Sequence, residues 1–284
     1  MRILIIGGAG MLGHRLWREL NHDHETWVTL RQPVERYRAH GLFDPARAVI
    51  GVDASNPESL ESAFAKVRPE AVVNCVGIIK QLKEAHDPMV SIGINSLLPH
   101  RLSRLCAVAG ARLVHISTDC VFNGRKGGYT EDDPSDAEDL YGRSKFLGEV
   151  HDAHAVTIRT SIIGRELETK SGLIEWFLSQ QGRTIKGYRH GVFSGFTTHE
   201  LARVIRRVLE RHRDIGGLWQ VSSAPIGKLD LLELARREFA WKGEIVPDDQ
   251  FRCDRSLDSS RFRKAVGYTP PSWQDMIAEL ARAA

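Results

Sequence analysis

The stretch that decides the fold is MRILIIGGAGMLGHRL, residues 1–16. Its first part is apolar enough to predict a buried strand, and its last part has the spacing of a helix. Between the two parts, glycine recurs at every third position, as Gly7, Gly10 and Gly13. The chain therefore carries very little side chain where its first strand turns into its first helix.

These three glycines have a chemical use. A helix begins with backbone N–H groups that lack partners and with a partial positive charge. An anionic diphosphate binds there if the backbone can come close. Side chains at the three positions would block that approach or the packing of helix on strand. The pattern is the dinucleotide-binding fingerprint in its GxxGxxG form. The alternative is a glycine-rich turn without a ligand.

The end of the second predicted strand indicates which dinucleotide is used. An acidic residue at that point holds the adenosine ribose hydroxyls, whereas an arginine suits a 2′-phosphate. Here the strand ends VTLRQ, so Arg31 occupies the place and no carboxylate does. This favours NADPH over NADH. The alternative is that Arg31 is an ordinary solvated residue.

Composition excludes several classes of protein. The 284 residues carry a net charge of +3 without a long Lys/Arg block, which argues against a nucleic-acid surface. The four cysteines form no CxxC pair, and no Cys/His cluster has zinc spacing, so we expect reduced thiols and no metal site. No apolar run is long enough to span a membrane or form a signal peptide. We therefore expect a cytoplasmic protein.

Strand-like and helix-like segments alternate through the first half of the chain, which predicts an α/β fold with a doubly wound parallel sheet. The apolar run 71–79 is typical of a strand covered on both faces. Ser55 and Glu58 are spaced as the capping box of the second helix. A further helix is expected over 94–109, and 217–223 is expected to return as a strand of the same sheet.

The pattern changes after about residue 164, which suggests two domains. We expect a dinucleotide-binding domain over 1–164, with 197–222 returning to it. The remaining segments, 165–196 and 223–284, are expected to form a smaller, partly interleaved substrate domain. The amphipathic helices leave open whether the protein forms a homodimer.

A catalytic group is suggested by the sequence LYGRSKFLGE. Tyr141 and Lys145 are four residues apart and share one face of a predicted helix. A nearby ammonium lowers the pKa of a phenol, so this tyrosine can exchange a proton near neutral pH. Ser117 and Thr118 end an earlier strand, at the sheet edge where such folds bind ligands. The alternative for 117–119 is ordinary turn chemistry.

Several motifs together resemble the extended short-chain dehydrogenase/reductase family over nearly the whole chain. They are GGAGMLG at 7–13, Asp53, NCVG at 74–77, STD at 117–119, YGRSK at 141–145 and RTSIIG at 159–164. Within that family the chain is most similar to the dTDP-4-dehydrorhamnose reductase branch. The phrases STDCVFNG, YGRSKFLGE and RSLDSSRF carry that similarity.

The resemblance implies a Rossmann-type fold and roles for single residues. Tyr141 would donate the proton, and Lys145 would bind the nicotinamide ribose and tune the phenol. Thr118, together with Ser117, would hold the substrate oxygen, and Asp53 would meet the adenine. The full set of predicted cofactor-binding residues is Gly7, Gly10, Met11, Leu12, Gly13, Arg31, Asp53, Ala54, Asn74, Cys75, Val76, Gly77, Asn95, Ser117, Tyr141, Lys145, Ser161 and Ile162.

The implied activity is NADPH-dependent reduction of a keto sugar linked to a nucleoside diphosphate, as in the biosynthesis of bacterial surface polysaccharides. Two alternatives stay open. One is a nucleotide-sugar epimerase of the same family, which recycles its dinucleotide. The other is a non-catalytic regulatory subunit that binds a dinucleotide, against which the intact Ser/Thr–Tyr–Lys set argues.

The substrate-facing segments depart from the branch. Cys120 stands where the branch usually has tyrosine, and the stretch YRHGVFSGFTTHELA is unusual for it. A diphosphate needs cations, and arginine suits phosphate oxygens. The predicted substrate-binding residues are Cys120, Val121, Arg189, His190, Arg252 and Arg255. The alternative for each cation is a solvated loop charge, and the identity of the sugar is not predicted.

Overall fold

The computed structural model describes residues 1–283, in which strands and helices alternate. The strands are β1 (Arg2–Ile6), β2 (Glu25–Leu30), β3 (Ala48–Ile50), β4 (Ala71–Asn74), β5 (Arg112–Ile116), β6 (Ala155–Arg159), β7 (Ile162–Ile163), β8 (Thr184–Phe193), β9 (Phe196–Thr197), β10 (Gly217–Gln220), β11 (Ile226–Gly227) and β12 (Glu244–Asp254). The α-helices are α1 (Met11–Leu20), α2 (Pro57–Val67), α3 (Pro88–Ser91), α4 (Leu98–Ala109), α5 (Leu140–Leu147), α6 (Leu173–Ser179), α7 (Thr198–Arg211), α8 (Lys228–Glu238), α9 (Ser260–Val266) and α10 (Trp273–Arg282).

Seven strands form one sheet in the order β10-β6-β5-β4-β1-β2-β3. The pairings from β3 through β6 are all parallel. In β1 the side chains of Ile3 to Ile6 are all buried, so both faces of the sheet are covered. The predicted α/β fold with a doubly wound parallel sheet is confirmed, and the expected return of 217–223 is seen as β10.

One face of this sheet carries a large apolar cluster. It joins side chains of β1, β4 and β5 to side chains of α2 and α4, among them Leu4, Ile6, Leu60, Phe64, Val72, Leu98, Leu102 and Leu113. Full burial of one such side chain stabilises the fold by roughly 1.5–3 kcal/mol. This packing holds the carboxyl ends of the parallel strands in fixed positions.

The second helix begins differently from the prediction. The N-cap of α2 is Asn56, whose side chain accepts a hydrogen bond from the backbone N–H of Glu58 at 2.9 Å. Ser55, the predicted cap, donates its hydroxyl to Asp53 instead, at 2.7 Å. The expected capping box is therefore wrong, because the Asp53 carboxylate competes for the Ser55 side chain.

The helix predicted over 94–109 is a composite. A π-helical segment, Ile92–Leu97, lies between α3 and α4. Pro99 lies in the first turn of α4 and has no N–H to donate to the carbonyl of Asn95, four residues earlier. A wider turn accommodates that lost bond, and such π-segments are frequent at functional sites. The strand predicted over 71–79 is also shorter, since β4 ends at Asn74.

The chain forms two compact units. The first contains Met1–Ser117, Asp139–Ile158 and Ala202–Leu218. It holds most of the seven-stranded sheet together with α1 to α5. The segment Thr118–Glu138 belongs to the second unit, whereas the sequence placed it with the first 164 residues.

The second unit consists of Thr118–Glu138, Arg159–Leu201 and the residues from Trp219 on. Its centre is a three-stranded sheet in the order β11-β8-β12, in which β8 and β12 run parallel. The register between these two strands shifts between Asp248 and Arg252. Strands β7 and β9 form a separate parallel pair.

None of the helices in the described part of the chain combines the length and the hydrophobicity that crossing a membrane requires.

Candidate active site

The glycine-rich turn after β1 packs too tightly for side chains. Gly7 has a φ of +86°, a conformation that favours glycine, and a Cβ there would lie 2.7 Å from the Val76 side chain. A Cβ at Gly13 would clash with the carbonyl oxygen of Gly7, so that glycine lets α1 pack against β1. At Gly10 a Cβ would meet only the Gly7 carbonyl oxygen, at 3.3 Å.

The start of α1 fits a diphosphate. Gly10 is the N-cap and offers no capping side chain, and the first turn carries no acidic residue. No carboxylate of the first turn therefore competes for its first N–H groups, which suits a bound phosphate. His14 lies on the same turn, with its Nδ1 2.9 Å from the carbonyl oxygen of Gly10, and burial lowers its pKa to about 4.

Two predicted residues behind this turn have packing roles. Leu12 is buried on α1, and Ala54 belongs to the apolar cluster under the sheet. Met11 is partly exposed at the start of the helix. Sequence reasoning passed over Gly8, where a Cβ would clash with Val28. The doubled glycine of GGAG was the available signal.

Arg31 and Asp53 follow the neighbouring strands β2 and β3. The Asp53 carboxylate accepts hydrogen bonds from the backbone N–H and the hydroxyl of Ser55, at 2.8 and 2.7 Å. These bonds, and more weakly the charge of Arg31, hold the pKa of Asp53 below its ordinary value. Arg31 itself is exposed. A carboxylate held by Ser55 and a guanidinium that acts on it thus follow two neighbouring strands of the sheet, and their contact with an adenosine stays a prediction.

The NCVG turn after β4 is held by a buried amide. Asn74 accepts from the backbone N–H of Val76 at 3.1 Å, and its Nδ2 lies 3.1 Å from His115 Nδ1 on β5. Because that amide nitrogen can only donate, Nδ1 of His115 must accept. Burial, and then the charge of Lys145, lower the pKa of His115 well below its ordinary value, so the ring is neutral. Cys75 donates its backbone N–H to Ile6 at 3.0 Å.

Asn95 connects this turn to α5 from within the π-helical segment. Its side chain accepts from the N–H of Ile78 at 2.9 Å and donates to the carbonyl of Ile78 at 3.1 Å. It also donates to the hydroxyl of Ser144 at 3.2 Å. A Cβ at Gly77 would lie 3.5 Å from Asn95 Oδ1 and 3.9 Å from Lys145 Nζ. The fold therefore brings Gly77, Asn95 and Lys145 together.

Tyr141 and Lys145 lie one turn apart on α5, as predicted from their spacing. Asp139 caps this helix by accepting from the N–H of Gly142 at 2.7 Å. Lys145 is buried, and its ammonium donates to the carbonyl of Ile116 on β5 at 2.7 Å. Burial lowers the pKa of Lys145 to about 8, while the charge of Glu149 opposes that change. A cation is thus held one helical turn from the phenol.

Ser117 and Thr118 have different partners. The Ser117 hydroxyl donates to Glu149 at 2.7 Å, and both side chains are buried. In the second unit, the Thr118 hydroxyl donates to Asp119 at 3.2 Å and accepts from the N–H of Cys120 at 3.1 Å. Thr118 caps the short 3-10 helix Asp119–Val121, so the turn chemistry considered as the alternative is present here. Burial raises the pKa of Asp119.

The predicted substrate residues of the second unit fall into two groups. Arg189 pairs with the exposed Asp249 at 2.8 Å, and His190 on β8 lies opposite Arg252 on β12. Val121 is instead fully buried in a small apolar cluster, so its side chain serves packing. Arg255 donates from Nε to the carbonyl of Phe122 at 2.7 Å and acts electrostatically on Asp119.

Two further predicted cofactor residues lie beside β9. The carbonyl of Ser161 accepts from the backbone N–H of Phe196 at 2.9 Å, and Ile162 pairs with Phe196 in register. A Cβ at Gly195 would clash with the Ser161 carbonyl oxygen. Gly195 thus allows a close approach of the two segments.

Burial disfavours the thiolate at three of the four cysteines. Burial raises the pKa of the Cys106 and Cys120 thiols to about 12, and it raises that of Cys75 further. Within residues 1–283 no cluster of His, Cys, Asp or Glu side chains could hold a metal ion.

Comparisons with known proteins follow the same lines. A family model described as "RmlD substrate binding domain" matches residues 1–284. The dTDP-4-dehydrorhamnose reductase of Mycobacterium tuberculosis is 36% identical over 252 residues, which cover 86% of this chain and 68% of that protein. That of Streptomyces griseus is 31% identical over 149 residues, which cover 52% of this chain and only 43% of that protein.

The fold has a match among solved structures. The dTDP-4-dehydrorhamnose reductase of Bacillus anthracis, in complex with NADP, superposes with a TM-score of 0.81. It is 19% identical, and the match covers 100% of this chain and 99% of that chain. At this identity the likeness concerns the fold alone.

Proposed function

The chain belongs to the RmlD substrate binding domain family, and from that membership we propose that it is an NADPH-dependent reductase of a keto sugar linked to a nucleoside diphosphate. The observation that carries the proposal is the buried ammonium of Lys145, bound to the end of β5 one helical turn from Tyr141. The relative from Mycobacterium tuberculosis, named as a dTDP-4-dehydrorhamnose reductase, supports the substrate class.

The first unit would hold the dinucleotide. The open N–H groups at the start of α1 would bind its diphosphate, and Arg31 would bind the 2′-phosphate of NADPH, with NADH as the alternative cofactor. The turn 74–77 would line the binding site on the β4 side. When bound, the reduced nicotinamide supplies a hydride to the sugar carbonyl.

The chain's own residues would manage the proton. Lys145 stabilises the phenolate form of Tyr141, so the phenol releases its proton more readily to the oxygen that becomes an alkoxide. Thr118 would hydrogen-bond that oxygen and stabilise its developing charge. Both hydroxyls donate to carboxylates, Ser117 to Glu149 at 2.7 Å and Thr118 to Asp119 at 3.2 Å. The longer bond of Thr118 is the easier one to exchange for a bond to the substrate, which favours Thr118 as the substrate-binding hydroxyl.

The second unit would bind the nucleotide sugar. Its residues Arg189, His190 and Arg252 lie on neighbouring strands β8 and β12, and the guanidinium groups of the two arginines suit phosphate oxygens. Asp249 already pairs with Arg189 through an exposed salt bridge. Such exposed pairs contribute little to stability, so a phosphate could replace that carboxylate at low cost.

The test is the loss of NADPH absorbance with a panel of nucleoside-diphosphate 4-keto-6-deoxy sugars. We expect oxidation that requires both sugar and enzyme. Tyr141→Phe should reduce kcat by roughly 10²–10⁴-fold, the usual worth of a positioned proton donor. Tyr268→Phe is the matched control, since it removes a phenol that donates to Glu200 in the second unit.

Three other outcomes would count against the proposal. Equal rates for Tyr141→Phe and the wild type would show that Tyr141 is not the proton donor. Interconversion of sugars without net NADPH consumption would indicate an epimerase. Tight NADPH binding without turnover of any sugar would favour a regulatory subunit.

A further inference from the structure

Glu149 is a buried carboxylate that the proposed reaction does not use. It lies two residues beyond the end of α5, and its side chain is 4% exposed. Its backbone N–H donates to the carbonyl of Phe146 at 3.1 Å, so a turn connects it to the end of the helix. Burying a carboxylate is costly unless hydrogen bonds and an opposite charge compensate.

Both kinds of compensation come from groups of the candidate site. The hydroxyl of Ser117 donates to Glu149 Oε1 at 2.7 Å. Lys145, four residues earlier, donates to the carbonyl of Ile116 at 2.7 Å, and the charge of Glu149 favours its protonated form. Two successive residues at the end of β5 are therefore bound by two side chains that are four residues apart in the chain. This double attachment fixes the position of Lys145.

We propose that Glu149 is a positioning residue, which acts as the counter-ion of Lys145 and, through Ser117, fixes the strand end to which Lys145 is bound. The consequence for turnover rests on the proposed function: a Lys145 that keeps its charge keeps the Tyr141 phenol acidic. Ser117 then belongs to the support of Lys145 rather than to the substrate.

The surroundings of Lys145 explain why a counter-ion is needed. Burial favours the neutral amine and lowers its pKa to about 8, and the Glu149 carboxylate opposes this. His115 beneath it is neutral, so it provides no counter-charge, and its pKa is lowered also by His100. The Ile116 carbonyl supplies a dipole without a charge. Removing the carboxylate would therefore lower the pKa of Lys145 further.

The direct test follows the titration of Lys145 by NMR, without substrate. The whole protein is labelled with [¹³Cε]lysine, and the Lys145 signal is assigned by its loss in Lys145→Met. We expect the wild-type signal to titrate at a pH near 8. In Glu149→Gln, an isosteric change, we expect the midpoint to fall by about one pH unit or more. Ser117→Ala keeps the carboxylate and should shift the midpoint much less.

Glu149→Met provides a second measurement if Glu149→Gln does not fold, since it replaces the buried carboxylate by an apolar side chain of similar length. The Lys145 midpoint should fall in this variant as well. An unchanged midpoint in whichever of the two variants folds would overturn the proposal and leave Glu149 a purely structural residue.

Turnover separates this inference from the proposed function. If the protein reduces a keto sugar, the alkaline limb of its kcat profile should move to lower pH in Glu149→Gln, by the same amount as the NMR midpoint. A protein that reduces no sugar but shows the NMR shift would refute the reaction and keep the counter-ion. An active reductase whose Lys145 midpoint is the same in Glu149→Gln as in the wild type would support the reaction and refute the counter-ion.

Discussion

The turn after β1 and the end of β5 belong to the same parallel sheet but differ in the side chains they carry. The turn removes side chains: Gly7 takes a left-handed conformation, and Gly13 lets α1 lie against the Gly7 carbonyl. The end of β5 concentrates buried polar side chains, with Lys145 on the Ile116 carbonyl and Glu149 on the Ser117 hydroxyl.

The difference has a physical basis. A diphosphate is already highly charged, so backbone dipoles and open space are sufficient to bind it. A proton donor needs its pKa adjusted, and a charge held nearby in a dry environment does this effectively. The turn after β1 should therefore be sensitive to added side-chain volume, and the end of β5 to the removal of a charge.

The largest effect should come from removing the charge at the end of β5. If Tyr141 is the proposed proton donor, Lys145→Met is expected to lower kcat for keto-sugar reduction by roughly 10²–10⁴-fold, because the phenol would lose the ammonium that favours its phenolate. Steady-state rates at saturating NADPH measure this. Lys264→Met, at an exposed lysine of α9, is the control. If the kcat of Lys145→Met stayed within about threefold of the wild-type value, the reaction would not depend on the charge at the end of β5.

An intermediate effect should follow from added volume in the turn after β1. Gly13→Ala places a methyl group against the Gly7 carbonyl oxygen, so we expect a loss of about 1–3 kcal/mol in the free energy of unfolding, as for overpacked sites. NADPH affinity should fall as well, since the start of α1 must shift. Urea unfolding and fluorescence titration measure the two changes.

Gly93→Ala is the matched control for that substitution. Gly93 lies in the π-helical segment, and a Cβ there meets no atom within 4 Å. Alanine in a helix is more stable than glycine by about 0.5–1 kcal/mol, so this variant should be neutral or stabilised. If Gly13→Ala and Gly93→Ala change the free energy of unfolding equally, the packing of the turn after β1 does not require a glycine at position 13.

The smallest effect should come from Arg31, which follows the neighbouring strand β2 and is the proposed partner of a 2′-phosphate. Arg31→Ala should weaken NADPH binding by about tenfold, or about 1.4 kcal/mol, and leave NADH binding unchanged. Parallel titrations with the two dinucleotides provide the comparison. Arg18→Ala, in the last turn of α1, removes an arginine from the far end of that helix. Equal losses for NADPH and NADH would assign Arg31 to general attraction of anions.

Much of the fold was predictable because it depends on local patterns. α1 (Met11–Leu20) begins directly after Gly10, in the stretch whose spacing predicts a helix, since the glycine-rich turn marks its start and helical periodicity its course. The cap of α2 was predicted wrongly as Ser55, because Asn56 is an equally good cap and Asp53 engages the serine. The π-helical segment was not predicted, although Pro99 was a visible signal for a disturbed turn.

In the candidate site, too, some residues follow from local patterns and others do not. Tyr141 and Lys145 could be identified from a four-residue spacing together with the motifs around them. Glu149 has the same spacing from Lys145, but its other partner, Ser117, is 32 residues away in the chain. No local pattern shows which hydroxyl will donate to which carboxylate.

The sequence by itself determined the parallel α/β sheet, the open start of α1 and the helix that carries Tyr141 and Lys145. These features follow from periodicity, from glycine and from spacing, all of which act over a few residues. Only the tertiary structure decided that Lys145 is buried on the Ile116 carbonyl, that Ser117 serves Glu149 and that Val121 is a core residue. Burial and charge pairing arise when distant segments meet, because desolvation and Coulomb attraction depend on distance in space rather than on position along the chain.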